Sequence, residues 1–247
     1  MDNPGYIALS RLVAQNRATA VLAHNMANAE TPGFRASRPV FAEHLDRQRN
    51  AEAPRGGRDL HMAWDRATWR DATPGAVQTT GNPLDIAISG EGFFAVETPR
   101  GERFTRAGRF SLGPEGTVVD TEGNTLLDTR GNPLRVAAGD TRLTVRGDGT
   151  LSSENGEIGR IRVVRFGDPQ RLVAEGDRVF AAPGQAAEAI ERPALVQGAL
   201  EGSNVRPVLE MTRLTAELRD FQFVAQMVER EGERIGAAVE RILRKRS

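Results

Sequence analysis

The sequence predicts an α+β protein: N- and C-terminal helices forming a coiled-coil-like layer, with a central all-β domain between them. Three features predict it. Apolar side chains near both ends recur in steps of three and four, the spacing of a narrow helical seam rather than a broad globular face. From Leu84 to Ala182 short apolar runs alternate with glycine-bearing turns. From 35 to 80 neither period persists. The chain therefore divides into an N-terminal helix (1–34), an extended linker (35–80), the β-domain (81–182), a return segment (183–202) and a C-terminal helix (203–247).

The C-terminal helix organises the rest. Met211, Leu214, Leu218, Phe221, Ala225, Val228, Gly232, Ile235, Val239 and Ile242 trace its seam, widened in the middle turns by Phe223, Val224 and Met227. Ser203 or Asn204 is placed to cap its start, and Pro207 suits a first turn, where no amide proton is needed. Residues 5–29 form the N-terminal counterpart. Tyr6, Leu9, Val13, Asn16, Ala20, Ala23 and Ala27 make one stripe, with Leu12, Thr19, Leu22 and Met26 beside it. Thr31-Pro32-Gly33 ends that helix, because proline disfavours helix for the residue before it and glycine permits the turn. A narrow apolar seam on an isolated helix does not outweigh the entropy of ordering the backbone. Both helices are therefore expected to need partners and to be partly disordered in a lone subunit.

Within the linker, Phe41 to Arg49 reads as a short helix, and Leu60–Trp64 and Thr68–Arg70 as short strands. In the β-domain, runs such as Leu84–Ile88, Phe93–Val96, Leu143–Val145 and Ile158–Phe166 are separated by Gly90-Glu91-Gly92, Glu122-Gly123-Asn124, Gly147-Asp148-Gly149 and Asn155-Gly156. That spacing points to a sandwich, a barrel or a twisted β-domain.

Composition excludes several function classes. Basic and acidic residues balance at 33 each, so no overall field attracts nucleic acid or an anionic membrane. Cysteine is absent, which removes disulfide and thiol chemistry. No apolar run approaches the roughly twenty residues of a membrane span. Ser10 and Arg11 interrupt Ile7-Ala8-Leu9, so no cleavable leader is expected. His24, His44 and His61 are scattered without metal-ligand spacing, and Gly90-Glu91-Gly92 lacks the third glycine of a dinucleotide fingerprint and reads as a hairpin turn. Asp120 to Asp128 places Leu126 and Leu127 where a calcium loop needs oxygen ligands, so it too reads as a hairpin turn. No catalytic, cofactor-binding or metal-binding residue emerges, and the expectation is a non-enzymatic protein without cofactor.

Four stretches carry a resemblance. His24-Asn25-Met26-Ala27-Asn28-Ala29-Glu30-Thr31-Pro32-Gly33-Phe34 resembles the signature that closes the N-terminal helix of flagellar axial proteins. Thr80-Gly81-Asn82-Pro83-Leu84-Asp85-Ile86-Ala87-Ile88, running on through Gly90-Glu91-Gly92-Phe93-Phe94-Ala95-Val96, resembles the core motif of rod and hook proteins. Phe104-Thr105-Arg106-Ala107-Gly108-Arg109-Phe110 and Leu200-Glu201-Gly202-Ser203-Asn204-Val205-Arg206-Pro207-Val208 resemble two further motifs of the same family, in the family's order. His24 and Arg206 depart from it, each standing where asparagine is usual. The chain's length and its Leu-Glu-Gly-Ser-Asn-Val form favour the proximal-rod branch over distal-rod or hook-type subunits.

The resemblance implies a structural subunit of the flagellar basal-body rod, polymerising through its terminal helices with copies of itself and with other rod subunits. It further implies export through the flagellar type III apparatus, a periplasm-spanning location and a role in motility. The expected assembly residues are Leu9, Val13, Asn25, Asn28, Ser203, Asn204, Met211, Leu214, Leu218, Phe221, Val228 and Ile235. Asn25 and Asn28 are expected to tie off carbonyls at the helix end or to bond a neighbouring subunit. Thr31, Pro32, Gly33, Gly81, Asn82, Pro83, Gly90 and Gly92 are expected to set turns, with Phe93 and Phe94 on opposite faces of the sheet, one toward the core and one toward the helical layer. A self-contained β-domain binding module is the rival reading, and a cell-wall hydrolase a third, for which no carboxylate pair stands out.

Overall fold

A computed structural model describes residues 3–47, 59–176 and 178–244. The chain forms two compact units, each assembled from separate stretches: Met1–Ala27, Ser37–Arg70 and Arg206–Ser247 make the first, and Asn28–Ala36 with Asp71–Val205 the second.

The first unit contains helix α1 (Asn3–Ala27), strands β1 (Ser37–Arg47) and β2 (Asp59–Arg70), and helix α2 (Pro207–Arg244). Strands β1 and β2 pair antiparallel from Ser37↔Arg70 to Arg47↔Asp59, with a slip of register between Val40 and Phe41. This ribbon occupies the stretch read as a linker, and it replaces the helix expected at Phe41–Arg49, of which 48 and 49 lie outside the described residues. Helix α1 packs against α2 and the ribbon. It buries Ala8, Ala14, Gln15, Ala18, Val21, Leu22 and Asn25, while the stripe of Leu9, Val13, Asn16, Ala20, Ala23 and Ala27 stays exposed.

Asn25, near the end of α1, meets Glu210 in the first turn of α2, so the helices run antiparallel. At about 1.5 Å per residue, α1 reaches back to about the level of Gly232, and α2 continues beyond it. Covered positions on α2 are Glu210, Leu214, Glu217, Val224, Ala225 and Glu231, with Phe221 and Val228 at the margin. The covered face thus keeps the predicted period and uses Leu214 and Ala225, while Phe221 and Val228 are 36% and 37% exposed. Its alternate positions sit one residue earlier, at Glu210, Glu217 and Glu231, than the predicted Met211, Leu218 and Gly232, while Val224 and the predicted Ala225 are both covered.

The second unit is all β. Its main sheet has nine strands, all pairings antiparallel. Along it lie Val173–Ala174, Val179–Ala181, Gly101–Thr105, Phe93–Thr98, Thr125–Leu126, Val118–Asp120 and Phe110–Leu112, and Val163–Arg165 joins Phe93–Thr98 to Glu188–Ala189. Strand Leu195–Gln197 pairs with Ile86–Ile88, and Ala199–Glu201 with Val77–Thr79, so the return segment is woven into this unit. Side-chain alternation along Phe93–Thr98 feeds two cores. Phe94 and Val96 join Ile86, Phe110, Leu126 and Ile161, whereas Phe93 and Ala95 join Phe104, Val164 and Phe166. Phe93 therefore does not face a helical layer: its ring packs against Phe166 and Phe180 at 5.9 Å in each case.

Residues Asp120–Asn124 and Asp128–Asn132 share the pattern Asp-Thr-X-Gly-Asn and one turn geometry. In each, the first aspartate accepts amide hydrogens from two and four residues on, and the glycine takes positive φ. The first joins paired strands, as expected of a hairpin turn.

Candidate assembly sites

In the second unit the family-like motifs converge on one buried ion pair. Arg106 and Glu201 are 1% and 2% exposed, and the Arg106 Nε donates to Glu201 Oε2. The rest of the guanidinium is spent on carbonyls: Nη1 donates to Gly92 at 2.6 Å, and Nη2 to Ile88 at 3.0 Å and Gly90 at 2.5 Å. Glu201 Oε1 accepts the Gly75 amide at 3.1 Å and lies 3.8 Å from Arg35. A buried ion pair is tolerable only when its remaining donors and lone pairs are matched in this way. The planar, forked guanidinium reaches three carbonyls and a carboxylate together, which a lysine ammonium does not.

The same cluster explains several of the glycines. Gly90-Glu91-Gly92 is not a hairpin turn, because the strands on either side of it belong to different sheets; its carbonyls are aimed at Arg106. Gly33 has φ +72, its amide donates to the Glu201 carbonyl at 2.8 Å, and a Cβ there would lie 2.5 Å from the Arg106 carbonyl carbon. Gly108 is pressed harder still: a Cβ there would overlap the Ile86 carbonyl oxygen. Neither Arg106 nor Glu201 stands out in the sequence, since 95 positions separate them. Each motif carries a second charge, Arg109 in one and Arg206 in the other, so charge alone does not single out the buried pair.

Other motif residues also turn inward. The amides of Thr80 and Gly81 donate to the Gly198 carbonyl, Asn82 bonds the Asp85 carboxylate at 3.2 Å, and the Pro83 carbonyl accepts from Gln197. Thr31 bonds the Asn28 side chain at 3.1 Å, and Pro32 lines a cleft with it. Asn204 does not cap α2: its Oδ1 accepts the Ala36 amide at 2.7 Å and its Nδ2 donates to the Asp71 and Thr73 carbonyls. Ser203 Oγ accepts the Val205 amide, upstream of the helix. The first helical bond is accepted by the Arg206 carbonyl.

In the first unit, Asn25 is fully buried and joined to Ser37 by two bonds of 2.9 Å, so it serves the subunit's interior rather than a neighbour. It also donates to Glu210, whose buried carboxylate takes Arg38 at 2.7 and 2.8 Å and Arg213 at 3.0 Å. The helical seam residues behave differently. Leu9 and Val13 are 55% and 62% exposed, Met211 and Leu218 56% and 46%, and Leu214 is half-buried. The Ile235 side chain lies outside the described residues. A further exposed face of α2 carries Leu209, Phe223 and Met227. Among the described residues no cluster of three metal-ligating side chains occurs, and no helix is long and apolar enough to cross a membrane.

An inward-facing motif cluster together with outward-facing apolar helices marks a structural subunit, and comparison with known proteins specifies the class. Residues 6–35 match the flagella basal body rod protein model, 87–153 the D1 domain of flagellar hook protein FlgE/F/G, and 196–241 the C-terminal domain of flagellar basal body rod FlgEFG proteins. The chain is 34% identical to the flagellar basal-body rod protein FlgF of Caulobacter vibrioides, over 98% of both chains. It is 31% identical to the FlgF of Mesorhizobium japonicum, over 92% of both, and 28% identical to the FlgG of Agrobacterium fabrum, over 90% of this chain and 92% of the relative. The chain belongs to the flagellar basal-body rod protein family and is most like its FlgF members. It is a structural component of the basal-body rod that supports motility, and not an enzyme.

Proposed function

We propose that this subunit builds the proximal rod by lending one helix, α2, to two partners at once. The observation that carries the reading is the split seam. Leu214, Phe221 and Val228 recur every seventh residue between two flanks: Glu210, Glu217 and Val224, which are covered within the subunit, and Met211 and Leu218, which are left open. A helix of a neighbouring subunit on that open flank, alongside the exposed Leu9 and Val13 stripe of another copy, makes a coiled-coil-like layer. Contacts of this kind are heterologous and do not close, so they propagate a helical tube of copies and rod relatives. Delivery through the flagellar type III export apparatus and a span across the periplasm follow from the same family reading.

The test is the pair Met211→Asp/Leu218→Asp. The purified variant keeps the parent's thermal unfolding midpoint, since both positions are exposed in the subunit, while hook–basal bodies isolated from cells producing it lack the completed rod. Normal rods in that strain defeat the proposal. A binding module, by contrast, would keep its ligand after removal of both terminal helices.

A further inference from the structure

Beside the motif cluster, Asn28, Pro32, Ala107, Arg109, Thr121, Glu122 and Arg178 line a cleft of about 370 Å³. Arg103, Arg162 and Arg165 on the same unit close ion pairs with glutamates; among the described residues neither Arg109 nor Arg178 does. Both nevertheless stand on fixed backbone. Ala107, Gly108 and Phe110 are buried, with the Phe110 amide bonded to the Leu84 carbonyl, so Arg109 is the one exposed side chain in that run. The Arg178 carbonyl accepts from Thr105 Oγ1 at 2.7 Å, the next residue, Val179, is buried, and its guanidinium donates to the Thr121 hydroxyl. Two arginines that line one cleft, each beside buried neighbours, supply forked donors suited to a planar oxyanion.

We infer that this cleft is a docking point for a carboxylate side chain of a neighbouring subunit, an interaction that rests on the rod reading above. Charge selects the ligand. Arg109, Arg178 and Glu122 together carry one net positive charge, which one carboxylate neutralises and a phosphate dianion overshoots. The cleft's volume holds a short length of chain around that side chain, and its walls come from the motifs that resemble the family signature, Asn28, Pro32, Ala107 and Arg109.

The experiment compares three strains carrying a deletion of the whole chain, Arg109→Glu/Arg178→Glu, or Arg109→Lys/Arg178→Lys, scored by swim-plate diameter and by electron microscopy of isolated basal bodies. The glutamate variant is expected to be produced at parental level, to unfold at the parental temperature when purified, and to yield at least tenfold fewer completed rods. The lysine variant is expected to retain part of the yield, and spontaneous suppressors of the glutamate variant to exchange an acidic for a basic residue in a rod subunit. Parental rod yield in the glutamate variant overturns the inference, as does a loss that the lysine variant shares in full or that suppressors relieve only by restoring Arg109 or Arg178. Motility that survives deletion of the whole chain defeats the rod reading itself, whereas loss on deletion combined with a fully functional glutamate variant defeats only the cleft.

Discussion

The two units use their distinctive residues in opposite directions. In the β unit, Arg106, Glu201, Gly33, Gly90, Gly92 and Asn204 are all spent on the interior, where charge meets charge and backbone meets backbone. In the helical unit, only one flank of α2 is covered, and Met211, Leu218, Phe223 and Met227 remain exposed. The β unit is thus a finished object whose motifs keep its shape, whereas the helical unit leaves apolar side chains of both helices exposed. A shared motif therefore need not mark an interface: here the signature residues gathered around Arg106 and Glu201 secure the subunit, whereas Arg109 at the cleft and the exposed apolar stripes of the helices are the surfaces proposed for neighbours.

The largest expected effect is at the buried ion pair. Arg106→Ala leaves Glu201 buried without its partner and is expected to cost about 3–5 kcal/mol in urea unfolding, while the double variant Arg106→Met/Glu201→Met recovers most of it. A loss below about 1 kcal/mol for the single variant would dissolve the contrast between the units. Next comes Gly33→Ala, which meets the Arg106 backbone and a left-handed φ together; roughly 1–3 kcal/mol is expected, read in the same unfolding curves. The smallest effect lies at the edge of the β unit. The Thr141 and Arg142 amides hold the Glu154 carboxyl down to about 2 from its ordinary 4.5. Because its folded value is depressed, its contribution is present above pH 4.5 and lost as pH falls towards 2. Glu154→Gln should therefore lower stability slightly at neutral pH, flatten that acid limb, and leave variant and parent alike near pH 2. An acid limb of parental steepness would show that these amides do not hold the carboxylate.

Both helices were legible because their apolar periods run unbroken over the lengths that fold, and so were apolar strands such as Ile86–Ile88, Phe93–Thr98 and Val118–Asp120. Short strands with little apolar content, such as Gly101–Thr105, and those of the return segment, Leu195–Gln197 and Ala199–Glu201, were not. Nor was the ribbon. Leu60, Met62 and Trp64 alternate in one phase and Ala67 and Trp69 in the other, and the pairing slips where the phase changes, between Phe41↔Asp65 and Val40↔Ala67. A bulge of this kind inserts one residue and erases period two over a window that spans it; Pro39 in the facing strand weakened the signal further. The helical seam was legible in period but not in phase, because α2 carries two overlapping sets of alternate positions and sequence does not say which set its own chain takes. Asn204 was misread for a different reason. A cap residue ahead of a proline-led helix is the local solution, but here the side chain binds Ala36, Asp71 and Thr73, remote in sequence. Arg106 and Glu201 were invisible because nothing local in either motif names its partner.

The interleaving of the chain also sets an order of events. Every stretch of the β unit has been delivered once residue 205 emerges, but α1, supplied first, has no helix to lie against until Pro207–Arg244 follows. A growing polypeptide therefore has the β1–β2 ribbon available to its oldest segment well before the second helix exists, and only the α1–α2 contact waits for Pro207–Arg244.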